Sequence, residues 1–210
     1  MTTLRALIRL IFAAIGITAV VATFFDTATR ATINPFNFFG FFTMQSNLIM
    51  IAALLVTAVA ATFGRERGAG VSLLRGCATT YIVIVGIVYN TLLVGLEGGV
   101  SLGWANTILH VVLPIYAAID WLAFGDRARL AWRLVWVPLV YPIVWVVVVL
   151  IRGATDGWVP YPFLDPAQGY GVVALYAVAI AVATMAVASL VWAVSRLRTL
   201  GYGAEIVTAS

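Results

Sequence analysis

Six long apolar runs constrain this 210-residue chain more than any other feature. The hydrocarbon core of a bilayer is about 30 Å thick, and an α-helix rising about 1.5 Å per residue needs about 20 residues to cross it. Runs of this length occur at Ala6–Phe25, Phe39–Phe63, Leu73–Leu96, Trp104–Phe124, Trp132–Ile151 and Tyr170–Val194. Because the connections are short, the sequence predicts an all-α integral membrane bundle of six transmembrane helices, a single domain over residues 1–210.

Composition supports this interpretation, because 63% of the residues are hydrophobic and only 10% are charged. Soluble domains carry about 25% charged residues. The first run follows Arg5 and Arg9 and could be read as a secretory signal. Its apolar stretch is longer than that of a signal, however, and it lacks a small-x-small cleavage site before Asp26. We therefore expect a retained membrane anchor.

The arginines predict the orientation of the bundle. Ten fall on one side of the six-span topology, namely Arg5, Arg9, Arg65, Arg67, Arg75, Arg127, Arg129, Arg133, Arg196 and Arg198. Only Arg30 and Arg152 fall on the other side, so the positive-inside rule predicts that both termini are cytoplasmic. The net charge of +4 follows from this topology and does not indicate a nucleic-acid partner. Arginine without lysine, with much alanine and valine, suggests a GC-rich bacterial genome and hence the inner membrane of a bacterium.

Missing residue types argue against several classes of site. The sequence has no lysine for a Schiff base or a P-loop, and Cys77 and His110 are its only cysteine and histidine. These two residues cannot build a structural zinc site, an iron–sulfur cluster or a bis-histidine haem site, so we expect no metal and no cofactor. The acidic residues lie near span ends or in loops, which argues against a proton pump. Asp120 is expected to be an interfacial residue near Arg127.

Polar residues of three different spans share one predicted layer. Thr43 lies four residues after the start of the second run, about 6 Å deep. His110 lies six residues after the start of the fourth run and Asn90 six residues before the end of the third, each about 9 Å deep. All three depths are counted from the predicted outer face.

Helical spacing groups further polar residues with these three. One face of the second span carries Thr43, Ser46, Asn47 and Met50, and one face of the fourth carries Asn106, Thr107 and His110. Pro114 has no N–H to bond the carbonyl of His110, so we expect a kink and a carbonyl oxygen that needs another donor.

Each polar residue also has a plain structural interpretation. Thr43 could bond the carbonyl four residues before it, and His110 and Asn90 could hold neighbouring helices together. Spacing alone therefore predicts a candidate polar pocket in the outer leaflet, without a reaction.

Four stretches of sequence resemble the androgen-induced-gene-one family of multi-span membrane proteins and its short six-span bacterial relatives. They are "GFFTMQSNL" in the second span, "NTILHVVLPIYAAIDW" in the fourth, "LVYPIVWVVVVLIRG" in the fifth and the loop "DGWVPYPFLD". The animal members are intramembrane threonine hydrolases that cleave fatty acid esters of hydroxy fatty acids. The resemblance implies that Thr43 is the nucleophile, that His110 is its base and that the partner is a membrane lipid or fatty-acyl ester.

The implied reaction needs donors for an oxyanion and a cover for the pocket. Asn47 and Asn90 are candidate oxyanion donors, and Ser46 and Asn106 are further pocket candidates. The loop Gly153–Gly169 could cap the pocket, with Tyr161 or Asp165 at its rim, or it could be a rigid connection.

The sequence is also compatible with a second class of function. The same pocket could bind a lipid without chemistry, in a ligand-binding or regulatory membrane protein. A small transporter ranks below this alternative, because the sequence shows no inverted repeat and no pair of broken helices.

Overall fold

The chain is described by a computed structural model that covers residues 2–95 and 102–197. Within these ranges the regular elements are helices. The α-helices are α1 (Thr2–Arg30), α2 (Pro35–Phe38), α3 (Phe42–Thr62), α4 (Ala69–Val88), α5 (Gly103–Thr107), α6 (Leu113–Ala123), α7 (Val137–Thr155) and α8 (Tyr170–Val194). A π-helical turn, Tyr89–Leu93, extends α4, and another, Ile108–Val112, joins α5 to α6. Short 3-10 turns occupy Trp132–Leu134, Pro162–Leu164 and Pro166–Gln168.

Six helical segments are long and apolar enough to cross a membrane, which confirms the predicted spans. They are Thr2–Arg30, Phe42–Thr62, Ala69–Leu93, Gly103–Ala123, Trp132–Thr155 and Tyr170–Val194. The first helix outlasts its apolar run, and at its end Arg30 donates to Asp26 at 2.9 Å, a pair that supports the last turn. Leu96, the predicted end of the third span, and Arg198 lie outside the described residues.

The helices differ in how much of their surface is buried. The most apolar window of the third span is 67% buried, whereas those of the fifth and sixth spans are only 11% and 17% buried. The main core is formed by side chains of α1, α3, α4 and α6, such as Ala13, Met50, Leu54, Ile82 and Leu113. The bundle therefore has a packed inner group of helices. In contrast, α7 and α8 expose apolar side chains, among them Val144 and Leu175.

Buried arginines join the ends of several helices. Arg9 of α1 is fully buried and donates to Asp120 of α6 at 2.9 Å and to Asp126 at 2.6 and 2.9 Å. Arg75 of α4 donates to Asp126 at 3.0 Å and lies 3.4 Å from Asp120. Arg127 donates to the carbonyl oxygen of Val194, the last residue of α8. The start of α1 and the ends of α6 and α8 thus lie together, at what we call the basic end of the bundle.

This arrangement corrects the expected environment of Asp120. The carboxylate is 1% exposed and pairs with Arg9 and Arg75 rather than with Arg127. Arg127 instead donates to backbone carbonyl groups and lies over the ring of Trp121. The sequence prediction placed Asp120 at the interface because helical spacing gives depth along a span but not the direction in which a side chain points.

Candidate functional site

Thr43 occupies the second position of α3, at the end of the bundle opposite the basic end. The predicted span began at Phe39, but the helix begins at Phe42 because residues 39–41 form a turn. Two side chains hold this turn: Gln45 Nε2 donates to the carbonyl of Phe39, and Trp145 Nε1 donates to that of Gly40, each at 2.8 Å. Thr43 therefore lies at a helix N-terminus, where backbone N–H groups lack helical partners.

The partner of Thr43 is Tyr161, which is 118 residues away in sequence. The backbone N–H of Thr43 donates to the phenolic oxygen of Tyr161 at 3.2 Å. The Thr43 hydroxyl oxygen lies 3.3 Å from the same phenolic oxygen, and either group can donate. One phenol thus satisfies both polar groups of Thr43 that face it.

Thr43 differs in this respect from most helical threonines of the chain. The hydroxyl groups of nine others donate to the carbonyl four residues before them, namely Thr18, Thr23, Thr27, Thr57, Thr80, Thr91, Thr107, Thr155 and Thr184. For Thr43 the corresponding residue is Phe39, which lies before the helix and accepts from Gln45 instead. The plain interpretation of Thr43, a hydroxyl bonded to its own helix, does not hold.

Tyr161 lies in the connection between α7 and α8, and its ring is packed among aromatic neighbours. Its ring stacks on Phe163 at a centroid distance of 5.3 Å and packs against Phe41 at 5.7 Å and Trp145 at 5.9 Å. Burial raises the pKa of the Tyr161 phenol, and the hydrogen bonds with Thr43 offset part of this effect. The phenol is therefore protonated at neutral pH and can donate.

Thr43 and Tyr161 both line an apolar cavity with a volume of about 90 Å³. The cavity lies between α4, α7 and α8, and its other walls include Val88, Tyr89, Ile143, Trp145, Phe163, Ala181 and Thr184. Ile143 is 51% exposed on the outer surface of the bundle. The cavity is thus bounded on one side by residues that would face lipid.

His110 lies in the π-helical turn between α5 and α6 and is buried. Its Nδ1 lies 3.0 Å from the carbonyl oxygen of Asn106. A carbonyl oxygen can only accept, so this hydrogen bond requires the proton on Nδ1 and leaves Nε2 without one in the neutral ring. The backbone carbonyl of Asn106 therefore orients the imidazole ring.

Pro114 has the expected effect on the carbonyl of His110. The described chain passes this point in a π-helical turn, in which the regular backbone hydrogen bonds are rearranged. The carbonyl oxygen of His110 accepts a hydrogen bond from Asn90 Nδ2 at 3.3 Å, which confirms the prediction that it needs a new donor. Gly86 permits the close approach of α4 to α6 at Pro114, because a Cβ on Gly86 would lie 2.9 Å from Pro114 Cβ.

Asn47 connects the Thr43 region to the His110 region. Its Nδ2 donates to the carbonyl of Thr43 at 2.8 Å and to that of Leu109, the residue before His110, at 3.3 Å. The Nδ2 groups of Asn47 and Asn90 are thus both directed at backbone carbonyl groups. Within the described ranges, the Oδ1 of Asn47 and the hydroxyl of Ser46 are buried without a partner.

The structure does not join Thr43 directly to His110. Over the described part of the chain the two side chains share no hydrogen bond, since Thr43 contacts Tyr161 and His110 contacts Asn106. His110 is not among the residues that line the cavity. Its ring stacks on Tyr89, which does line it, at a centroid distance of 3.9 Å.

The remaining candidates have different surroundings. Asn106 Nδ2 donates to the hydroxyl of Tyr89 at 2.5 Å, which places Asn106 beside His110. Asp165 accepts from the backbone N–H of Ala167 and stabilises the 3-10 turn there. Among residues 2–95 and 102–197, no group of three or more His, Cys, Asp or Glu residues lies close enough together to hold a metal.

The sequence prediction missed the role of one aromatic residue in the site and misplaced another. Tyr89 was not singled out, although it lines the cavity and stacks on His110. Tyr161 was expected only near the rim of the pocket, but it contacts Thr43. Nothing in the local sequence predicts these contacts, since they depend on a π-helical turn and on the path of a loop.

Comparisons with known proteins assign no family to the chain. Searches against protein-family models, curated proteins and solved structures found no match. A function must therefore be inferred from the residues and geometry of this chain, together with the four stretches that resemble the threonine hydrolases.

Proposed function

We propose that the chain is an intramembrane hydrolase of lipid carboxylic esters, in which Thr43 is the nucleophile and His110 the base. One observation carries the proposal: the Thr43 hydroxyl is not bonded to its own helix. It pairs with the Tyr161 hydroxyl at the wall of an apolar cavity. Fatty acid esters of hydroxy fatty acids are the substrates suggested by the resemblance. No metal or cofactor is required by this chemistry.

In the proposed reaction the neutral Nε2 of His110 accepts the proton of the Thr43 hydroxyl, directly once substrate binds or through one water molecule. The hydroxyl oxygen attacks the ester carbonyl, and His110 returns the proton to the departing alcohol. Water then attacks the acyl-threonine, again with His110 as base, and releases the acid. The hydrogen bond between Nδ1 and Asn106 supports this role, because it keeps Nε2 free of a proton.

The walls of the cavity favour a substrate with a long acyl chain. Side chains from α7 and α8, including Ile143, Ile180 and Ala181, form apolar walls, and Thr43 and Tyr161 add polar groups to the lining. An acyl chain that entered between α7 and α8 would meet apolar side chains and bring its ester group to Thr43.

Covalent labelling tests the proposal directly. A reactive ester-hydrolase probe should label the purified protein in detergent, and peptide mapping should locate the label on Thr43. Thr184→Ala is a matched control, because Thr184 lines the same cavity but its hydroxyl is bonded to Ile180. Labelling should survive Thr184→Ala and disappear in Thr43→Ala. A label on another residue would contradict the assignment of the nucleophile.

A lipid-binding or regulatory protein without chemistry is the second candidate. It is favoured by the contact between Thr43 and Tyr161, which leaves the Thr43 hydroxyl without a direct bond to His110. In that case Thr43→Ala and Thr43→Val should bind lipid about as well as Thr43→Ser. A hydrolase should instead distinguish serine from the other two.

We also propose that both termini face the cytoplasm of a bacterium and that the chain lies in its inner membrane. The excess of arginines at the basic end supports this orientation. Thr43 and Tyr161 would then lie toward the outer leaflet.

Cysteine accessibility tests the orientation. The lone cysteine, Cys77, is buried and can be replaced by alanine to give a cysteine-free background. In this background Ala167→Cys, in the loop before α8, should react with a membrane-impermeant thiol reagent on intact cells. Ala69→Cys, at the start of α4, should react only after the cells are opened; both positions are exposed. The reverse pattern would mean that the termini lie outside.

A further inference from the structure

The proposed reaction needs a hydrogen-bond donor close to Thr43, and Tyr161 is placed to supply one. A tetrahedral intermediate on Thr43 carries a negative oxygen, which needs hydrogen-bond donors close to the nucleophile. The oxyanion donors predicted from the sequence, Asn47 and Asn90, direct their amide N–H groups at the carbonyls of Thr43, Leu109, Gly86 and His110. They would have to break these bonds to serve an oxyanion.

We propose that Tyr161 is a third catalytic residue, whose phenolic O–H, together with the backbone N–H of Thr43, stabilises the oxyanion. This inference rests on the proposed hydrolase function. Its geometric basis is the pair of contacts at 3.2 and 3.3 Å, which bring the phenol next to both the nucleophilic oxygen and the N–H of the same residue. An oxygen bonded to the carbon that Thr43 attacks would lie within reach of both donors.

The proton balance of this step is simple. The Thr43 oxygen forms a bond to the ester carbon, the carbonyl π electrons move to its oxygen, and the Thr43 proton goes to His110. Tyr161 keeps its proton and only donates a hydrogen bond to the new oxyanion. The backbone N–H of Thr43, which donates to the phenolic oxygen in the free protein, would take the oxyanion as its acceptor instead. When the intermediate collapses, the electron pair returns and the alcohol leaves with the proton from His110.

The surroundings of Tyr161 suit a donor that must stay in place. The ring packs against Phe41, Trp145 and Phe163, so its position is set by contacts that do not involve the hydroxyl. Burial favours the neutral phenol, which is the form that can donate. Removal of the hydroxyl alone should therefore leave the loop and the cavity wall intact.

Tyr161→Phe tests the inference, with Tyr176→Phe as the matched control. Tyr176 packs against Phe163 in the same aromatic group, at 5.7 Å, and its hydroxyl has no hydrogen-bond partner within the described ranges. The removal of one oxyanion donor lowers kcat by about 10² to 10³-fold in known hydrolases. We expect a loss of this size in kcat for Tyr161→Phe, a KM close to that of the wild type, and an equally slower labelling of Thr43 by the probe. Tyr176→Phe should match the wild type in all three.

The outcomes separate this inference from the proposed function. A wild-type protein that neither turns over esters nor labels on Thr43 would reject the hydrolase and Tyr161 with it. An active wild type with a Tyr161→Phe variant of equal kcat would reject only the role of Tyr161. A faster variant would mean that Tyr161 restrains Thr43 instead of assisting it, and would also overturn the inference. A changed KM with unchanged kcat would assign Tyr161 to substrate binding alone and would overturn it as well.

Discussion

Thr43→Ala should abolish the hydrolysis of lipid esters, whereas Thr43→Ser should keep measurable activity. Alanine removes the hydroxyl oxygen that we propose forms the acyl intermediate, and serine restores it without the methyl group. In a known hydrolase the loss of a nucleophile lowers kcat by about 10⁶-fold, which leaves only background activity. Turnover of long-chain esters by purified protein in detergent measures the effect.

His110→Ala should produce a similar loss, because a hydroxyl is a poor nucleophile until a base accepts its proton. The two residues should act as a unit, so the double variant should be little worse than either single variant. If the two residues contributed independently, the fold losses in activity of the two single variants would multiply in the double variant. Non-additivity of this kind would connect Thr43 to His110 functionally, although their side chains share no hydrogen bond over the described part of the chain.

Stability controls are needed, because both side chains are buried in the bundle. Each variant should be compared with the wild type in expression and thermal melting. Thr184→Ala should lose far less activity than Thr43→Ala, since it removes a hydroxyl from the same cavity but not the nucleophile. A folded Thr43→Ala protein that still hydrolyses every substrate of the wild type would end the catalytic proposal and leave lipid binding in front.

The sequence predicts the six spans well, because span length and apolar composition are properties of each segment alone. The buried face of α3 was also predictable: Thr43, Ser46, Asn47 and Met50 follow helical spacing, and all four are buried. The need of the His110 carbonyl for another donor was predictable from the missing N–H of Pro114, but the sequence did not identify Asn90 as that donor.

Contacts that depend on direction around a helix or on the path of a loop were not predictable. Tyr161 reaches Thr43 only because the chain after α7 folds back over the cavity, and no local pattern encodes that path. In the same way, the sequence prediction counted Arg9 and Arg75 only as charges on the cytoplasmic side. Both are buried between helices and paired with Asp120 and Asp126.

Arg9→Met should strongly destabilise the bundle, for reasons unrelated to the cavity. Arg9 is fully buried and makes three hydrogen bonds to Asp120 and Asp126, so methionine would fill part of the space but leave both carboxylates with fewer donors. Breaking a buried ion pair by removal of one partner costs about 3 to 5 kcal/mol. Arg129→Met is the matched control, because Arg129 is exposed in the loop that also carries Asp126. Thermal melting in detergent should fall clearly for the first variant and little for the second.

The pH dependence of stability provides a second measure of the same network. Burial alone would raise the pKa of Asp126, but the hydrogen bonds and charges of Arg9 and Arg75 outweigh it and hold this pKa well below its usual value. Because the pKa is lower in the folded state, pairing of Asp126 stabilises the fold above the unfolded-state pKa of about 3.9. This contribution is lost as the pH falls through the folded-state pKa. Asp126→Asn should therefore have a lower melting temperature than the wild type at pH 7, and its melting temperature should fall less on acidification. Equal melting curves of the two proteins at neutral and acidic pH would show that the ion pairs of Asp126 do not stabilise the bundle.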